Sequence, residues 1–405
     1  MYISKQEILI WVLLLLQLSS LFAFNGLIVA VIILLAYSFL HIKVIAKIPR
    51  ASTTLVLSIV IIGLVNSVYN KFMYGQSISD GLIGIYFLGM FFSYFVFIRY
   101  FENDKSRIDK LNERVMIISA VVSVLAILQT LLYPYINLFD FSIRNGRMRI
   151  PGTAMSFFAE IIGIAYLLMG RANTRMKVSL AILVFALFYV SQSRSGIILL
   201  FLAAVFTIAK KMINAKSKKA VVLLLGFVIG IVIFILLLSR TQIWQNIFSF
   251  VDEINSGTGS GATRVNEMLY YWKQMSGKEL FGLGLLRGGS ALANWIFRED
   301  LHYYIEDLGL LGFIFQTGLL GLLWVVYAVV KIIAKISGLT KGKTQISNTI
   351  SMILVMLLIV TLVGVTNANY IVARSTIFFF CMLLAEADVL LADISHEANN
   401  TRCEI

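Results

Sequence analysis

The chain has 405 residues, of which 59% are hydrophobic and only 14% are charged. Soluble domains contain roughly 45–50% apolar and about 25% charged residues, so this composition excludes a soluble globular protein. The formal net charge of +13 would favour nucleic acid as a partner of a soluble protein. In a membrane protein the same cations orient the chain, and nucleic acid is therefore set aside.

Apolar runs bounded by polar residues follow one another along the chain and predict an all-α polytopic membrane protein with about twelve transmembrane helices. The runs lie at 8–24, 27–42, 54–70, 82–98, 115–133, 154–170, 178–192, 195–210, 220–238, 308–330, 349–366 and 375–391. The first run lacks a signal-peptidase site and is expected to be retained as a span. Residues 1–405 are interpreted as one integral membrane domain.

The distribution of Lys and Arg predicts that both termini are cytoplasmic. This orientation puts 22 Lys and Arg residues inside and 12 outside, as the positive-inside rule requires. The inner set has 15 Lys and 7 Arg, whereas the outer set has 3 Lys and 9 Arg. Because Arg presents a planar fork that suits phosphate and carboxylate, the outer arginines indicate an anionic ligand at the outer face. Snorkelling towards lipid phosphates is the alternative for each of them.

Two outer loops stand out between the predicted helices. Residues 239–307 are predicted to form one long extracytoplasmic loop with short amphipathic helices, and the segment 264–275 suits a helix lying on the bilayer surface. The shorter loop, residues 134–153, carries Arg144, Arg147 and Arg149 just ahead of Pro151-Gly152. Both loops bring arginine to the outer face.

His302 is the histidine with the clearest catalytic potential. It precedes the tenth predicted helix, and if helix already exists there, Glu306 at i+4 lies on the same face and orients the imidazole. An imidazole with a pKa near 6.5 accepts a proton from a hydroxyl at neutral pH. The alternative is an interfacial histidine in an aromatic belt beside Tyr303 and Tyr304.

Three further charged residues lie close to or within predicted membrane segments. Arg194 sits between two apolar runs that together span barely two crossings, which makes it a functional candidate unless it snorkels. Arg374 lies between the last two runs and invites the same argument more weakly. Glu160 lies inside the sixth run, where burying an ionised carboxylate is energetically unfavourable. It is expected to pair with one of these arginines.

Neither metal nor redox chemistry is indicated. The two cysteines, Cys381 and Cys403, are not placed for an external disulfide. No His, Cys and Asp cluster has metal-ligand spacing, and no phosphate-binding P-loop is present. The sequence therefore predicts no metal site and no cofactor.

The order of these features resembles the O-antigen polymerase and ligase superfamily over roughly residues 140–325. The shared elements are Arg149-Ile-Pro-Gly before a helix, Ser193-Arg194-Ser-Gly opening another, Arg264 followed by Phe281-Gly-Leu-Gly in the long loop, and His302 with Glu306. The chain has Tyr303 where the superfamily usually has Asn after the histidine. The resemblance implies a metal-independent glycosyltransferase that works on polyprenyl-diphosphate-linked glycans at the outer face of the bacterial cytoplasmic membrane.

On this resemblance the expected function is polymerisation of lipid-linked repeat units into O-antigen or a similar surface polysaccharide. His302 is then the base and Glu306 its orienting partner, while Arg149, Arg194 and Arg264 bind the donor diphosphate. Arg147, Arg374 and Glu160 are further candidates. Expected partners are the lipid-linked donor and acceptor glycans, membrane lipids and a chain-length regulator.

Two other functions stay open from the sequence. A ligase of the same superfamily would transfer the finished glycan to a lipid A core or another acceptor. A flippase for lipid-linked oligosaccharides could also have twelve helices, although transporters are commonly built from repeats around a midplane site. Here the two halves look unequal and the polar residues gather at one face, which disfavours a flippase. The compact chain and its modest outer surface favour the polymerase over the ligase.

Overall fold

The computed structural model describes residues 4–19, 25–41, 52–135, 142–144, 147–149, 153–191, 193–215, 256, 259–298, 301, 303–342, 344–367 and 369–403. Helices make up nearly all of this part of the chain. The predicted ninth apolar run, residues 220–238, lies outside the described residues. Each of the other predicted runs overlaps a helix in its described residues.

The helices are numbered in chain order. They are α1 (Lys5–Gln17), α2 (Gly26–Leu40), α3 (Thr53–Tyr74), α4 (Ile78–Ile85), α5 (Ser93–Asn103), α6 (Ser106–Leu132), α7 (Thr153–Leu168), α8 (Thr174–Ala186), α9 (Arg194–Ala215), α10 (Gly259–Gln274), α11 (Ala291–Phe297), α12 (Gly309–Lys341), α13 (Gln345–Val363) and α14 (Ile377–Cys403). A 3-10 segment, Tyr86–Phe92, joins α4 to α5, a π turn, Leu187–Ser191, follows α8, and a 3-10 turn, Ile305–Leu308, precedes α12.

Six helical segments of the described chain are long and apolar enough to cross a membrane. They are Thr53–Tyr74, Ile78–Asn103, Ser106–Leu132, Thr174–Ser191, Ile305–Lys341 and Gln345–Val363. Shorter apolar helices occupy Gly26–Leu40, Ala154–Leu168 and Gly196–Val205. The expectation of a helical membrane protein is therefore met at this coarse level.

A short hairpin departs from the all-α expectation. Strands β1 (Ser142–Arg144) and β2 (Arg147–Arg149) pair antiparallel, with Ser142 opposite Arg149. The sequence carries a signal for it, because Asn145-Gly146 between the strands is a dipeptide typical of two-residue hairpin turns. The predicted loop between the fifth and sixth helices is thus partly ordered as strand.

Helix α14 forms the centre of the bundle and packs against α5, α12 and α13. Its first half is completely buried, and Phe97 of α5 meets Phe378 edge-on at 4.9 Å. Protein on every side lets α14 carry acidic residues that lipid would not tolerate. Asp388 accepts hydrogen bonds from Tyr94 and from Lys335, which forms a buried ion pair with it.

The bundle has two ends, which we name after the sidedness predicted from the sequence. The outer end holds the hairpin, α10, α11 and the 364–376 loop between α13 and α14. The inner end holds the turns from α5 to α6, from α7 to α8 and from α12 to α13. At the inner end, Asn173 and Thr344 cap the helices that follow them through side-chain oxygens.

At the outer end, a strap formed by residues 279–285 docks in a break of α12. The break lies at Gly318, with φ 64° and ψ −148°, a conformation available to glycine. The break frees backbone groups of α12, which the strap satisfies in the way that irregular backbone at membrane depth requires. These bonds join Leu283 N to Phe315 O (2.8 Å), Gly284 N to Gln316 O (2.9 Å) and Leu319 N to Glu279 O (2.8 Å).

Two buried asparagines of α3 hold the other side of the strap. The Asn66 Oδ1 accepts from Leu285 N at 2.6 Å, and its Nδ2 donates to Phe281 O at 2.9 Å. Asn70 Nδ2 donates to Leu285 O at 3.2 Å. A Cβ at Gly284 would lie 2.2 Å from Asn70 Oδ1, so the glycine permits this close approach. The strap is therefore held between α3 and α12.

Candidate functional site

The 364–376 loop connects several predicted site segments at the outer end. Asn369 shapes it locally, because its Oδ1 accepts from Val372 N at 2.8 Å and the loop turns around this side chain. Val365 O accepts from Leu311 N at 3.0 Å, which ties the loop to the start of α12. Tyr370 stacks on Phe157 of α7 with ring centroids 4.4 Å apart.

Arg264 of α10 contacts this loop through a neutral partner. Its Nη1 donates to Asn367 Oδ1 at 2.5 Å, and the side chain is half-buried. No carboxylate among the described residues lies within ion-pair distance of this guanidinium. Because Asn367 occupies one of five N–H donors and brings no negative charge, Arg264 keeps its positive charge and spare donors for an anion.

The aromatic face of α10 fixes the position of Arg264. Tyr271 is fully buried, and its hydroxyl donates to Phe297 O of α11 at 2.9 Å. Tyr270 donates in the same way to Ile296 O at 3.1 Å. Trp272, the next residue, is exposed, so α10 has a buried and an exposed side; its place at the bilayer surface stays a prediction.

Glu267 is a residue of this region that the sequence analysis missed. It lies one helical turn after Arg264, is 1% exposed, and accepts a hydrogen bond from the backbone N–H of Tyr304 at 3.0 Å. This bond anchors the backbone at Tyr304, two positions after His302 in the sequence. The signal was the spacing of 264, 267 and 271, which puts an acid on the buried face of an amphipathic helix.

His302 itself lies outside the described residues. Glu306 belongs to the 3-10 turn Ile305–Leu308, and Tyr304 before that turn has extended backbone with φ −122° and ψ 105°. The α-helix begins at Gly309, so the described residues 303–308 do not form the α-helical face that the i, i+4 argument assumed. The pairing of Glu306 with His302 stays a prediction.

Glu306 instead faces Arg374 of the 364–376 loop. The nearest oxygen and nitrogen are 3.6 Å apart, and the Glu306 side chain is 74% exposed. The Arg374 guanidinium lies over the rings of Tyr86 and Phe87 at 5.9 and 5.6 Å. A long, exposed contact of this kind leaves Arg374 available to a stronger anion.

The structure brings the segments of Arg149 and Arg194 together. Strand β2, with Arg147 and Arg149, lies against the π turn Leu187–Ser191, which ends just before Arg194. Ser193 Oγ accepts from Gly196 N at 3.2 Å and caps α9, which Arg194 begins. The side chains of the three arginines lie outside the described residues.

Glu160 is buried in α7, and its predicted pairing with an arginine is not found among the described residues. The side chain is 2% exposed, and Oε2 has no hydrogen-bond partner. Burial, together with the nearby Glu160 carboxyl, raises the pKa of Tyr370 in the 364–376 loop. Glu160 is thus close to the loop that holds Arg264.

These features define a helical protein with several helices able to cross a membrane and an arginine-bearing outer end. Within the described ranges, no group of three or more His, Cys, Asp or Glu side chains could hold a metal ion. No protein-family model matches the chain. No curated protein matches it either.

Proposed function

We propose that the protein is a twelve-helix glycosyltransferase of the bacterial cytoplasmic membrane. It polymerises polyprenyl-diphosphate-linked oligosaccharide repeat units into O-antigen or a similar surface polysaccharide. In this proposal both termini are cytoplasmic and residues 239–307 form the extracytoplasmic loop. The reaction takes place at the outer end of the bundle.

The observation that carries the proposal is the contact between Arg264 and Asn367. A half-buried guanidinium held by a neutral amide retains its full charge and has N–H donors left for an anionic ligand. Arg374 lies in the same loop, and its contact with the exposed Glu306 carboxylate is long. A diphosphate that links lipid and sugar supplies the negative charge that would pair with these arginines.

In the proposed reaction, His302 takes the proton from an acceptor sugar hydroxyl. The acceptor oxygen bonds to the anomeric carbon of the donor, and the bond from that carbon to the diphosphate breaks. Arg149, Arg194 and Arg264 bind the departing polyprenyl diphosphate and stabilise its charge. His302 then returns the proton to water.

Glu267 replaces Glu306 as the proposed positioning residue for His302. Glu267 is buried and binds the backbone two residues beyond the histidine, whereas Glu306 is exposed and faces Arg374. A buried acceptor holds the local backbone more firmly than an exposed side chain. Glu306 then contributes mainly to the surroundings of Arg374.

Reconstitution of the purified full-length protein with lipid-linked oligosaccharide tests the function. Counting sugars per lipid should show longer chains on the same carrier. A new linkage to lipid A core or another acceptor would identify a ligase instead. Unchanged chains that move to the other leaflet would identify a flippase and contradict the polymerase.

The topology is tested separately with reporter fusions at Asn255 and in the tail after Asp393. Asn255 should report the extracytoplasmic side and the tail the cytoplasmic side. A cytoplasmic signal from Asn255 would overturn both the orientation and the proposed site, because the outer end would then face away from the lipid-linked glycans.

A further inference from the structure

Helix α11 has a buried side and an exposed side. Its buried side chains belong to one apolar cluster with Tyr271 of α10 and Phe315 of α12; they are Ala293, Ile296 and Phe297. The other side exposes Asn294 and Trp295, the latter at 72%. The Cα atom of the half-buried Arg298 lies on that side too, because Arg298 follows Asn294 by four positions and Trp295 by three. The exposed side thus carries an amide, an aromatic ring and a guanidinium.

Two tyrosines of α10 hold α11 in place. Their hydroxyls donate to the last carbonyls of α11, Tyr270 to Ile296 O at 3.1 Å and Tyr271 to Phe297 O at 2.9 Å. The last carbonyls of a helix have no partner within the helix, so these bonds both cap α11 and fix it to α10. Arg264 lies about 10 Å along α10 from this contact, a distance that a short oligosaccharide spans.

Arg298 ends α11 in a backbone conformation that usually belongs to glycine. Its φ of 57° and ψ of 45° lie in the left-handed region, and every other positive-φ residue in the described part of the chain is a glycine. The turn closes on Arg298 O, which accepts from Leu301 N at 2.9 Å and from Tyr303 N at 3.3 Å. Since glycine would form the same turn without a steric penalty, the turn itself does not require arginine.

The exposed groups of α11 match the surface of a sugar. The C–H face of a pyranose ring packs on the flat ring of a tryptophan, which buries apolar area and leaves the sugar hydroxyls at the edge. Asparagine offers two N–H donors and an acceptor, and arginine offers a fork of N–H donors. Asn294 and Arg298 can therefore bind hydroxyls of a sugar that lies on Trp295.

The exposed side of α10 has a different composition. Trp272 is 73% exposed there, next to Lys273 and near Leu269, which is 60% exposed. A tryptophan with an aliphatic side chain and a lysine suits the surface of a bilayer. Within residues 291–298, by contrast, Trp295 is the one large hydrophobic side chain that is exposed. This composition favours a hydrated ligand for α11.

We propose that Asn294, Trp295 and Arg298 form a glycan-binding subsite on the exposed side of α11. The subsite rests on the proposed function and extends it, because it assigns the sugars of the lipid-linked substrate to α11 and leaves the diphosphate to Arg264. Trp295 stacks on a sugar ring, and Asn294 and Arg298 donate hydrogen bonds to its hydroxyls. No covalent bond changes at this subsite.

Binding of a lipid-free oligosaccharide to the purified full-length protein in lipid nanodiscs tests the subsite. The probe is released by mild acid from the lipid-linked oligosaccharide of the polymerisation assay. Trp295→Ala should bind it about tenfold more weakly, because the stacking surface is lost. Trp272→Ala is the matched control, with a tryptophan of the same exposure, and should bind like wild type. Equal affinity of Trp295→Ala and wild type would overturn the subsite.

Inorganic pyrophosphate separates this proposal from the proposed function. Trp295→Ala should bind pyrophosphate like wild type, whereas Arg264→Lys should bind it more weakly. Wild type that binds pyrophosphate but not the oligosaccharide would overturn the subsite alone. Wild type that binds neither probe would overturn the subsite and the proposed function together.

Brominated phospholipids test whether Trp295 contacts lipid instead. They quench a tryptophan that lies among their acyl chains, so the fluorescence lost in Trp295→Phe should be quenched less than the fluorescence lost in Trp272→Phe. Stronger quenching of Trp295 than of Trp272 would place Trp295 in lipid and overturn the subsite.

Arg298→Gly tests the guanidinium. Glycine keeps the turn, so the melting temperature should not fall, while the affinity for the oligosaccharide should fall several-fold. A lower melting temperature with unchanged affinity would assign Arg298 to the fold and remove it from the subsite.

Discussion

The cations at the two ends of the bundle have different partners. At the inner end, five of the described cations pair with carboxylates, in Arg114–Glu7 (2.6 Å), Arg171–Asp109 (2.5 Å), Arg107–Asp104 (3.8 Å), Arg175–Glu113 (3.9 Å) and Lys105–Asp393. At the outer end, Arg287 pairs with Asp80 at 2.7 Å. Arg264, however, binds an amide, and Arg374 has only a long contact.

This difference separates cations that stabilise the fold from cations that are free to bind a ligand. A guanidinium already paired with a carboxylate is largely neutralised, so these paired cations have little attraction left for an anion. Arg264 is neutralised by nothing in the described chain. The predominance of Arg at the outer end therefore matters less than the partners that these arginines have.

The largest effect is expected from His302→Ala at the outer end. A positioned general base contributes about 10²–10⁴-fold to rate, so polymer formation should fall by about that factor while the protein stays folded in the membrane. Rates in the reconstituted assay and the elution profile of the purified variant measure the two quantities. Normal-length polymer at normal protein level would make His302 an interfacial residue.

A substitution in the inner half of the bundle should change the stability of the protein instead. Lys335→Met leaves Asp388 buried without its cation, which should lower the free energy of unfolding by about 3–5 kcal/mol. The double variant Lys335→Met with Asp388→Asn should recover much of this loss, because no buried charge remains. Denaturant unfolding in detergent measures both. A loss in the double variant as large as in the single one would contradict the charge argument.

The backbone of the outer end provides the next test. Gly318→Ala should lower unfolding stability by about 3 kcal/mol, because the new Cβ would lie 2.5 Å from Glu279 O in a conformation reserved for glycine. Gly75→Ala is the control, with a positive φ of 69° but nothing within 4 Å, and should cost about 1 kcal/mol. Equal losses of unfolding stability in the two variants would mean that the strap moves to accommodate the added Cβ.

Local patterns in the sequence predicted most of the helices, because apolar runs between polar residues are a short-range signal. They did not predict that residues 279–285 fill the break at Gly318, since that pairing joins segments far apart in the chain. Asn66 and Asn70 were visible as polar residues at the end of an apolar run, yet their partners were not. Glu386 and Asp388 likewise lie inside the last apolar run, where an acidic side chain is energetically costly. The sequence did not indicate which groups surround them.

The candidate site was predictable only in part for the same reason. The arginines of the outer loops follow from sidedness, but the contact of Arg264 with the 364–376 loop depends on how α10 packs. Glu306 was assigned by helical spacing, whereas the backbone at Tyr304 just before it is extended. Glu267 is four positions before Tyr271 on the buried face, a pattern that becomes meaningful once that face is known.

Arg264→Lys tests the outer-end half of the comparison. Lysine keeps the charge but loses the planar fork, and a hydrogen bond to a charged group is worth about 1.5–3 kcal/mol, so polymerisation should fall by about tenfold or more. Arg114→Lys at the inner end should leave activity near wild type, because a point charge still pairs with Glu7. Full activity of Arg264→Lys would contradict its role in diphosphate binding.

The smallest effect is expected from Glu306→Gln, and its size decides which acid serves His302. The Glu306–Arg374 contact is long and exposed, so its loss should change the free energy of unfolding by less than about 1 kcal/mol. Glu267→Gln is the matched change at the buried acid that binds Tyr304 N. If Glu267 positions the histidine, its variant should lose more polymerising activity than Glu306→Gln and shift the pH profile of the rate. The reverse order would return the orienting role to Glu306 and would require the 302–306 segment to become helical when substrate binds.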